Sequence, residues 1–270
     1  MAQNQFQTVN FVIPVRRFKP FEGANHKRMP ELLTGKDANG MQVDIPREII
    51  SPKQLMEARL GRIGTESDQT YLRTNYVNTN VAVLPDPNGD AVKLVPRHSL
   101  IYGLNPTSEL EDYNLPITKD QFEAAEGFVL QPELANTLRK DPYAVSNRRT
   151  AVWEFLAEGD TSLRKAYEED VTKTLEMPFE KVMCVYVPLN KGMRLLGVDD
   201  NYGSDASGYD NLDSSSGRLV GVAPEAQGAQ KNGAVTPNLE QLIDLVSPYV
   251  AQVNLPELRK QLTGAYVIKE

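Results

Sequence analysis

Three apolar runs crowded into residues 181–223 constrain this chain more than any other feature. The first, 182–189, is the most continuous apolar run present: Val182, Val185, Val187 and Leu189 stand around Met183, Cys184 and Tyr186. The second, 193–198, follows Asn190, Lys191 and Gly192; the third, 217–223, returns after a polar excursion over 199–216. Short β-branched runs broken by Gly and Pro are strand signals, because a branched Cβ packs well on a pleated surface and restricts helix rotamers. The pattern predicts three neighbouring strands in a buried sheet, with a long loop between the last two.

A length of 270 residues is enough to bury a substantial core. A net charge of −7 argues against general affinity for nucleic acid, although a local basic patch can still bind it. The one cysteine, Cys184, precludes an internal disulfide and a cysteine-based zinc cluster within one molecule. No stretch approaches the roughly 20 apolar residues of a membrane helix. Pro14 interrupts the first apolar run and no basic leader precedes it, so a secretory signal is not expected. These features predict a cytoplasmic protein, or a virion protein assembled in a cytoplasm, with no membrane partner.

Residues 1–50 read as an extended arm. Residues 7–13 alternate as an edge strand would, but Pro14, Pro20, Pro30 and Pro46, with Gly23, Gly35 and Gly40, are expected to deny the region a sustained helix. Such an arm lies on its own body or on a neighbouring subunit. Ser51 and Gln54 then form a capping box with Pro52 at the first helical position, starting a helix that Gly61 and Gly64 end. A polar strand is expected over 71–84. Asn88 and Gly89 mark a hairpin that returns through 91–95, and 100–102 adds a further strand.

From 106 to 176 the pattern turns helical. Thr118 and Gln121 form a second capping box, Pro132 opens a short helix, Ser146 caps a helix carrying Val152, Trp153, Phe155 and Leu156, and Asp160 caps one striped by Leu163, Ala166, Tyr167 and Val171. The other face of that last helix, with Arg164, Lys165, Glu168, Glu169 and Asp170, reads as a solvated surface. Two closing helices, 238–246 and 256–262, and a final strand, 265–268, complete the expectation.

The chemistry-bearing residues are sparse. His26 and His98 are the only histidines, too few for a multi-histidine metal site, and neither sits in a catalytic constellation. Pro85, Asp86, Asp90 and Lys93 resemble part of a metal-nuclease motif, but a turn already accounts for Pro, Asp, Asn and Gly there. Cys184, between apolar neighbours, reads as a small buried hydrophobe rather than a nucleophile. Two features stand above this background. Asp199, Asp200, Asp205, Asp210 and Asp213 lie in a loop without a basic residue; calcium takes about six to eight oxygen ligands, but the spacing matches no calcium-loop pattern. Arg16, Arg17, Phe18, Lys19, Phe21, Lys27 and Arg28 mix basic and aromatic residues, as suits an acidic partner surface or a nucleic-acid strand.

The expectation is therefore an α+β fold: a mainly antiparallel sheet, an arm over 1–50, and a body over 51–270 with a helical insertion at 106–176 and an acidic loop at 199–216. The expected function is non-enzymatic: a structural protein that self-associates as a homo-oligomer, most concretely a virion component such as a capsid, tail or connector subunit. The arm and acidic loop would meet between copies. No cofactor or metal is assigned. The alternative is a nucleic-acid-binding subunit using the basic arm and Arg148 and Arg149.

Overall fold

The computed structural model describes residues 16–144, 146–200, 204–209, 211–214 and 218–224. The expected strand at 7–13, Asp210, the closing helices and the final strand lie outside the described residues.

The architecture is α+β, built on one mixed sheet of nine strands among the described residues. The strands are β1 (Phe18–Phe21), β2 (Glu48–Ile49), β3 (Val77–Pro85), β4 (Val92–Pro96), β5 (Phe128–Leu130), β6 (Val185–Tyr186), β7 (Arg194–Val198), β8 (Ala206–Ser207) and β9 (Arg218–Val222). Their main order is β1-β9-β3-β7-β8-β6, with β4 and β5 continuing from β3 and β2 pairing with β9. Only the β3–β9 and β6–β8 pairings run parallel.

The three apolar runs do share one sheet, but they are not neighbours. Strand β3 separates β7 from β9, and β8 separates β6 from β7. All nine residues of β3 are buried, including Asn78, Thr79 and Asn80, whose polarity obscures a central strand in the sequence. Burial is tolerable because some of their polar groups are paired: Thr79 Oγ1 donates to the Leu196 carbonyl at 2.8 Å, and Asn78 Nδ2 donates to Asn25 Oδ1 at 3.1 Å. The register of β3 against β7 shifts between Asn78 and Ala82, at this polar stretch.

Alternate residues of β3 enter two cores. Val81 and Val83 join Leu196, Val198 and Val220, whereas Ala82 and Leu84 join Leu195, Met193 and Leu219. The first core is covered by α2 (Pro52–Arg59), α3 (Glu66–Arg73), α6 (Pro132–Lys140), α7 (Ser146–Leu156) and α8 (Thr161–Leu175), through Leu55, Leu72, Leu138, Trp153 and Tyr167 among others. The second is covered by α1 (Asn25–Thr34), α4 (Ser99–Tyr102) and α5 (Lys119–Ala124), through Met29, Leu32, Ile101 and Phe122.

The helix starts encoded by capping residues fall where expected. Ser51 Oγ accepts from Gln54 N at 3.2 Å, Thr118 Oγ1 from Gln121 N at 3.2 Å, and Asp160 Oδ1 from Leu163 N at 2.9 Å. Four local expectations are corrected. Residues 25–34 form a ten-residue helix with Pro30 inside it, because Met29 and Leu32 bury fully against the sheet. Tyr71 lies in α3, started by a Thr65–Asp68 box, rather than in a strand. Residues 99–102 are helical, with His98 Nδ1 accepting from Leu100 N at 3.2 Å. On α8, Arg164 is only 6 % exposed and pairs with Glu168 and Glu154, so that face is not simply solvated. The helical stretch also contributes a strand, β5, to the sheet edge beside β4.

Candidate functional site

Over residues 16–50 the arm lies on its own body. Strand β1 pairs antiparallel with β9, matching Phe18 with Val222 and Phe21 with Leu219. Phe18 and Phe21 are 2 % and 3 % exposed and enter opposite cores, so they are not free to anchor a partner. Gly64, at φ +83°, leaves room for the Phe18 ring: a Cβ there would sit 2.8 Å from a ring carbon. Arg47, itself buried, clamps the entry to β1. Its guanidinium donates to the Arg16 carbonyl at 2.8 Å and the Arg17 carbonyl at 3.4 Å while pairing with Asp44 at 2.8 Å. Burial alone would raise the Asp44 carboxyl, but Arg47 and Lys19 hold it below the usual range.

The basic residues of the arm stand beside carboxylates or aromatic rings. Arg16 lies 3.6 Å from Asp68, Lys19 2.9 Å from Asp44, Lys27 3.7 Å from Asp213, and Arg28 2.9 Å from Glu31. Arg17 lies against the Phe18 ring, 5.8 Å from its centroid. Arg149, considered for phosphate contact, is fully buried; its guanidinium stacks 4.2 Å from the Phe179 centroid and donates to the Phe179 carbonyl.

Among the described residues, the acidic loop is anchored at two places. In the first, Asp199 N–H donates to the Asp205 carbonyl at 2.8 Å, Asp200 N–H donates to Asp199 Oδ1, and β8 follows at once. Asp205 is 6 % exposed, and its Oδ1 accepts the Cys184 N–H at 2.8 Å. In the second, Leu212 is fully buried in the core beneath α1, and its carbonyl accepts from His26 N at 3.2 Å and His26 Nδ1 at 3.1 Å. A carbonyl only accepts, so Nδ1 carries the hydrogen. Leu212 thus gives this polar segment an apolar anchor within it. Among the described residues, no group of three or more His, Cys, Asp or Glu residues stands close enough to hold a metal ion.

Where Lys27 of the arm meets Asp213 of the acidic loop, the molecule has an open groove of about 480 Å³ lined by His26, Lys27, Leu110, Asp112, Tyr113 and Asp213 among others. Its rim is a tight turn in which Glu111 and Asn114 exchange backbone hydrogen bonds of 2.8 and 2.9 Å. Both central residues take left-handed backbone, Asp112 at φ 46° and Tyr113 at φ 64°. Such a turn favours Gly, Asn and Asp, so Asp112 suits it; for a bulkier residue such as Tyr113 it costs roughly 1–2 kcal/mol. The Tyr113 carbonyl accepts Leu212 N–H at 3.0 Å, while the residue stands 62 % exposed. Arm and acidic loop are thus joined here within one molecule.

Spacing alone could not reveal a second cluster, beneath β6. Burial, then the Asp205 carboxylate, pushes the Cys184 thiol far up, so it stays protonated and is a poor nucleophile. Tyr143 and Tyr186 hydroxyls lie against it and are raised chiefly by burial. Burial also raises Asp205, against the lowering influence of the Cys184 donors and Arg149. A carboxyl raised in the fold binds its proton more tightly there than in the unfolded state, so it favours folding most at acid pH and progressively less as pH rises above roughly 3.9. Asp205→Asn keeps an acceptor for Cys184 N–H without the charge. Its stability relative to the natural protein is expected to improve from acid to neutral pH, measured by urea midpoints at both. A variant whose stability relative to the natural protein falls as pH rises overturns this account.

Comparison with known proteins finds no family model, no curated protein and no solved structure that matches this sequence. No helix among the described residues is long and apolar enough to cross a membrane.

Proposed function

We propose that the protein is a non-enzymatic structural subunit that self-associates into a larger particle, most concretely a capsid, tail or connector subunit of a virion assembled in the cytoplasm. The observation that carries this reading is the strained turn at the groove rim. A fold that holds Tyr113 in left-handed backbone, at about 1–2 kcal/mol, to display it beside Asp112 and Asp213 has the character of a contact surface. Exposed aromatics beside charges are typical anchors of protein interfaces. Lys27, 60 % exposed at the same groove, keeps the role first considered for it, whereas Phe18 and Phe21 serve the core.

Truncating residues 1–30 would strip Phe18, Phe21 and Met29 from the core, so it is a poor test of assembly. Substitution of the exposed rim is a better one. The combined variant Lys27→Ser, Asp112→Ser, Tyr113→Ser is expected to retain the natural melting profile and to shift the mass distribution toward monomer, read by mass photometry and negative-stain microscopy. A natural protein that remains monomeric at all concentrations, or a variant that assembles equally well, rejects the reading.

The alternative, a nucleic-acid-binding subunit, has weaker support. Arg16, Lys19, Lys27 and Arg28 already face carboxylates, and Arg149 is buried. Phosphate binding would have to displace those pairs before releasing counterions.

A further inference from the structure

Two turns of this protein carry the same four-residue pattern, Asp-x-Asn-Gly. One is Asp37, Ala38, Asn39, Gly40; the other is Asp86, Pro87, Asn88, Gly89. In both, an aspartate carboxylate oxygen accepts the asparagine N–H at 2.9 Å. Both asparagines are exposed. An Asn-Gly pair is chemically labile, since glycine lacks the Cβ that would hinder its nitrogen from reaching the asparagine carboxamide.

The surroundings of the two turns differ. The first is held by itself: among the described residues, the hydrogen bonds on residues 37–41 all arise within that segment, where Asn39 and Met41 N–H donate to Asp37 Oδ1, Gly40 N–H to the Asp37 carbonyl and Asp37 N–H to the Met41 carbonyl. Gly40 is at φ +80° with no atom within 4 Å of where a Cβ would stand. The second is gripped from outside. Lys191 Nζ donates to the Asp86 carbonyl at 2.7 Å and to the Gly89 carbonyl at 2.6 Å. Lys119 Nζ reaches both Asp86 carboxylate oxygens at 3.3 and 3.1 Å, and Asn136 and Arg139 of α6 reach Asp90 at 3.3 and 3.7 Å. The Asp86 carboxylate also fills the space beside Gly89, 2.8 Å from where a Cβ would stand.

We propose that Asn39 is a site of spontaneous deamidation and isomerisation, and that Asn88, in a turn of the same sequence pattern, is protected by the lysine grip of Lys191 and Lys119. The Gly40 nitrogen, after losing its proton to solvent base, attacks Asn39 Cγ. A new bond forms between that nitrogen and Cγ, the bond from Cγ to Nδ2 breaks, and Nδ2 leaves as ammonia with a proton from water. Water then opens the five-membered imide at either carbonyl, leaving an aspartyl or isoaspartyl residue at position 39. The product sets a new carboxylate beside Asp37 and close to Met41, which is 55 % exposed. This inference is independent of the proposed assembly role.

The test is peptide mapping by mass spectrometry, with isoaspartyl detection, of the full-length protein aged at mildly alkaline pH. Position 39 is expected to convert several-fold faster than position 88 in the native protein. In the urea-unfolded protein, where no lysine grip survives, the two rates should converge. Lys191→Ala is expected to accelerate conversion at 88 while leaving 39 unchanged. Equal or faster conversion at 88 in the native protein overturns the proposal, as does a rate ratio that persists on unfolding. If Lys191→Ala does not fold, the native-against-unfolded comparison decides alone.

Discussion

Replacing Arg59 with alanine is expected to lower the unfolding free energy by about 3–5 kcal/mol, among the largest effects of any single change. Arg59 is 1 % exposed and joins four separate parts of the fold. Its Nε donates to the Leu72 carbonyl at 2.9 Å; one terminal nitrogen donates to the Tyr167 hydroxyl at 2.7 Å and Ser204 Oγ at 3.5 Å, and the other to the Asn75 and Val198 carbonyls at 3.2 and 3.4 Å. The fork-shaped guanidinium thus ties α3, α8, the end of β7 and the acidic loop to α2. Alanine would leave several acceptors without a donor, each costing about 1–3 kcal/mol, with partial relief from entering water. Arg59→Lys should recover only a minor part, because an ammonium is a point charge with three donors and cannot span the same acceptors. Urea unfolding followed by circular dichroism checks both. A loss below about 1 kcal/mol for Arg59→Ala would show that the acceptors find other partners and that the fork is dispensable.

Trp153→Ala is expected to cost about 3–5 kcal/mol, from lost burial and the cavity left behind. The indole is fully buried in the core under α7 and α8, its ring 6.0 Å from that of Tyr167. Its Nε1 donates to the Met183 carbonyl at 2.7 Å. Met183 is itself in left-handed backbone at φ 53°, so the indole also secures the entry to β6. Trp153→Phe separates the contributions: it keeps most of the apolar volume, and the remaining loss of about 1–3 kcal/mol reports the buried carbonyl left unpaired. Denaturant midpoints give the magnitudes. If phenylalanine is neutral, the hydrogen bond to Met183 contributes nothing to stability.

The candidate site was legible in pieces but not in its arrangement. The sequence separates Lys27 from Asp213 and reads one as arm and the other as loop; the fold sets them 3.7 Å apart at one groove. The acidic segment of Glu109, Glu111 and Asp112 carries no turn-forming glycine, so nothing local announces a reversal at Asp112 and Tyr113. Beyond the turn's own Glu111–Asn114 bonds, Leu212 N–H binds the Tyr113 carbonyl from a segment almost a hundred residues away. Likewise Asp205 reads as one of five similar aspartates until Cys184 N–H claims it.

Some features whose hydrogen bonds close within four residues, though not the equally local Thr65–Asp68 box, His98 cap and Glu111–Asn114 turn, could be read directly from the sequence. The starts of α2, α5 and α8 and the β3–β4 reversal belong to this group, since a cap or turn is satisfied whatever the rest of the protein does. The α+β class also followed, because apolar periodicity reflects which face each element buries. Strand order, the helix through Pro30 and the fate of the arm did not follow. Proline inside a helix is unfavourable by about 3 kcal/mol, yet α1 persists because Met29 and Leu32 bury fully and Leu212 receives its first turn. Strand β3 lies at the centre of the sheet despite Asn78, Thr79 and Asn80; Asn25 and Leu196 supply partners to Asn78 and Thr79 from distant parts of the sequence. In each case long-range burial and pairing outweigh a local preference of a few kcal/mol, and such partners become visible only after the protein has folded.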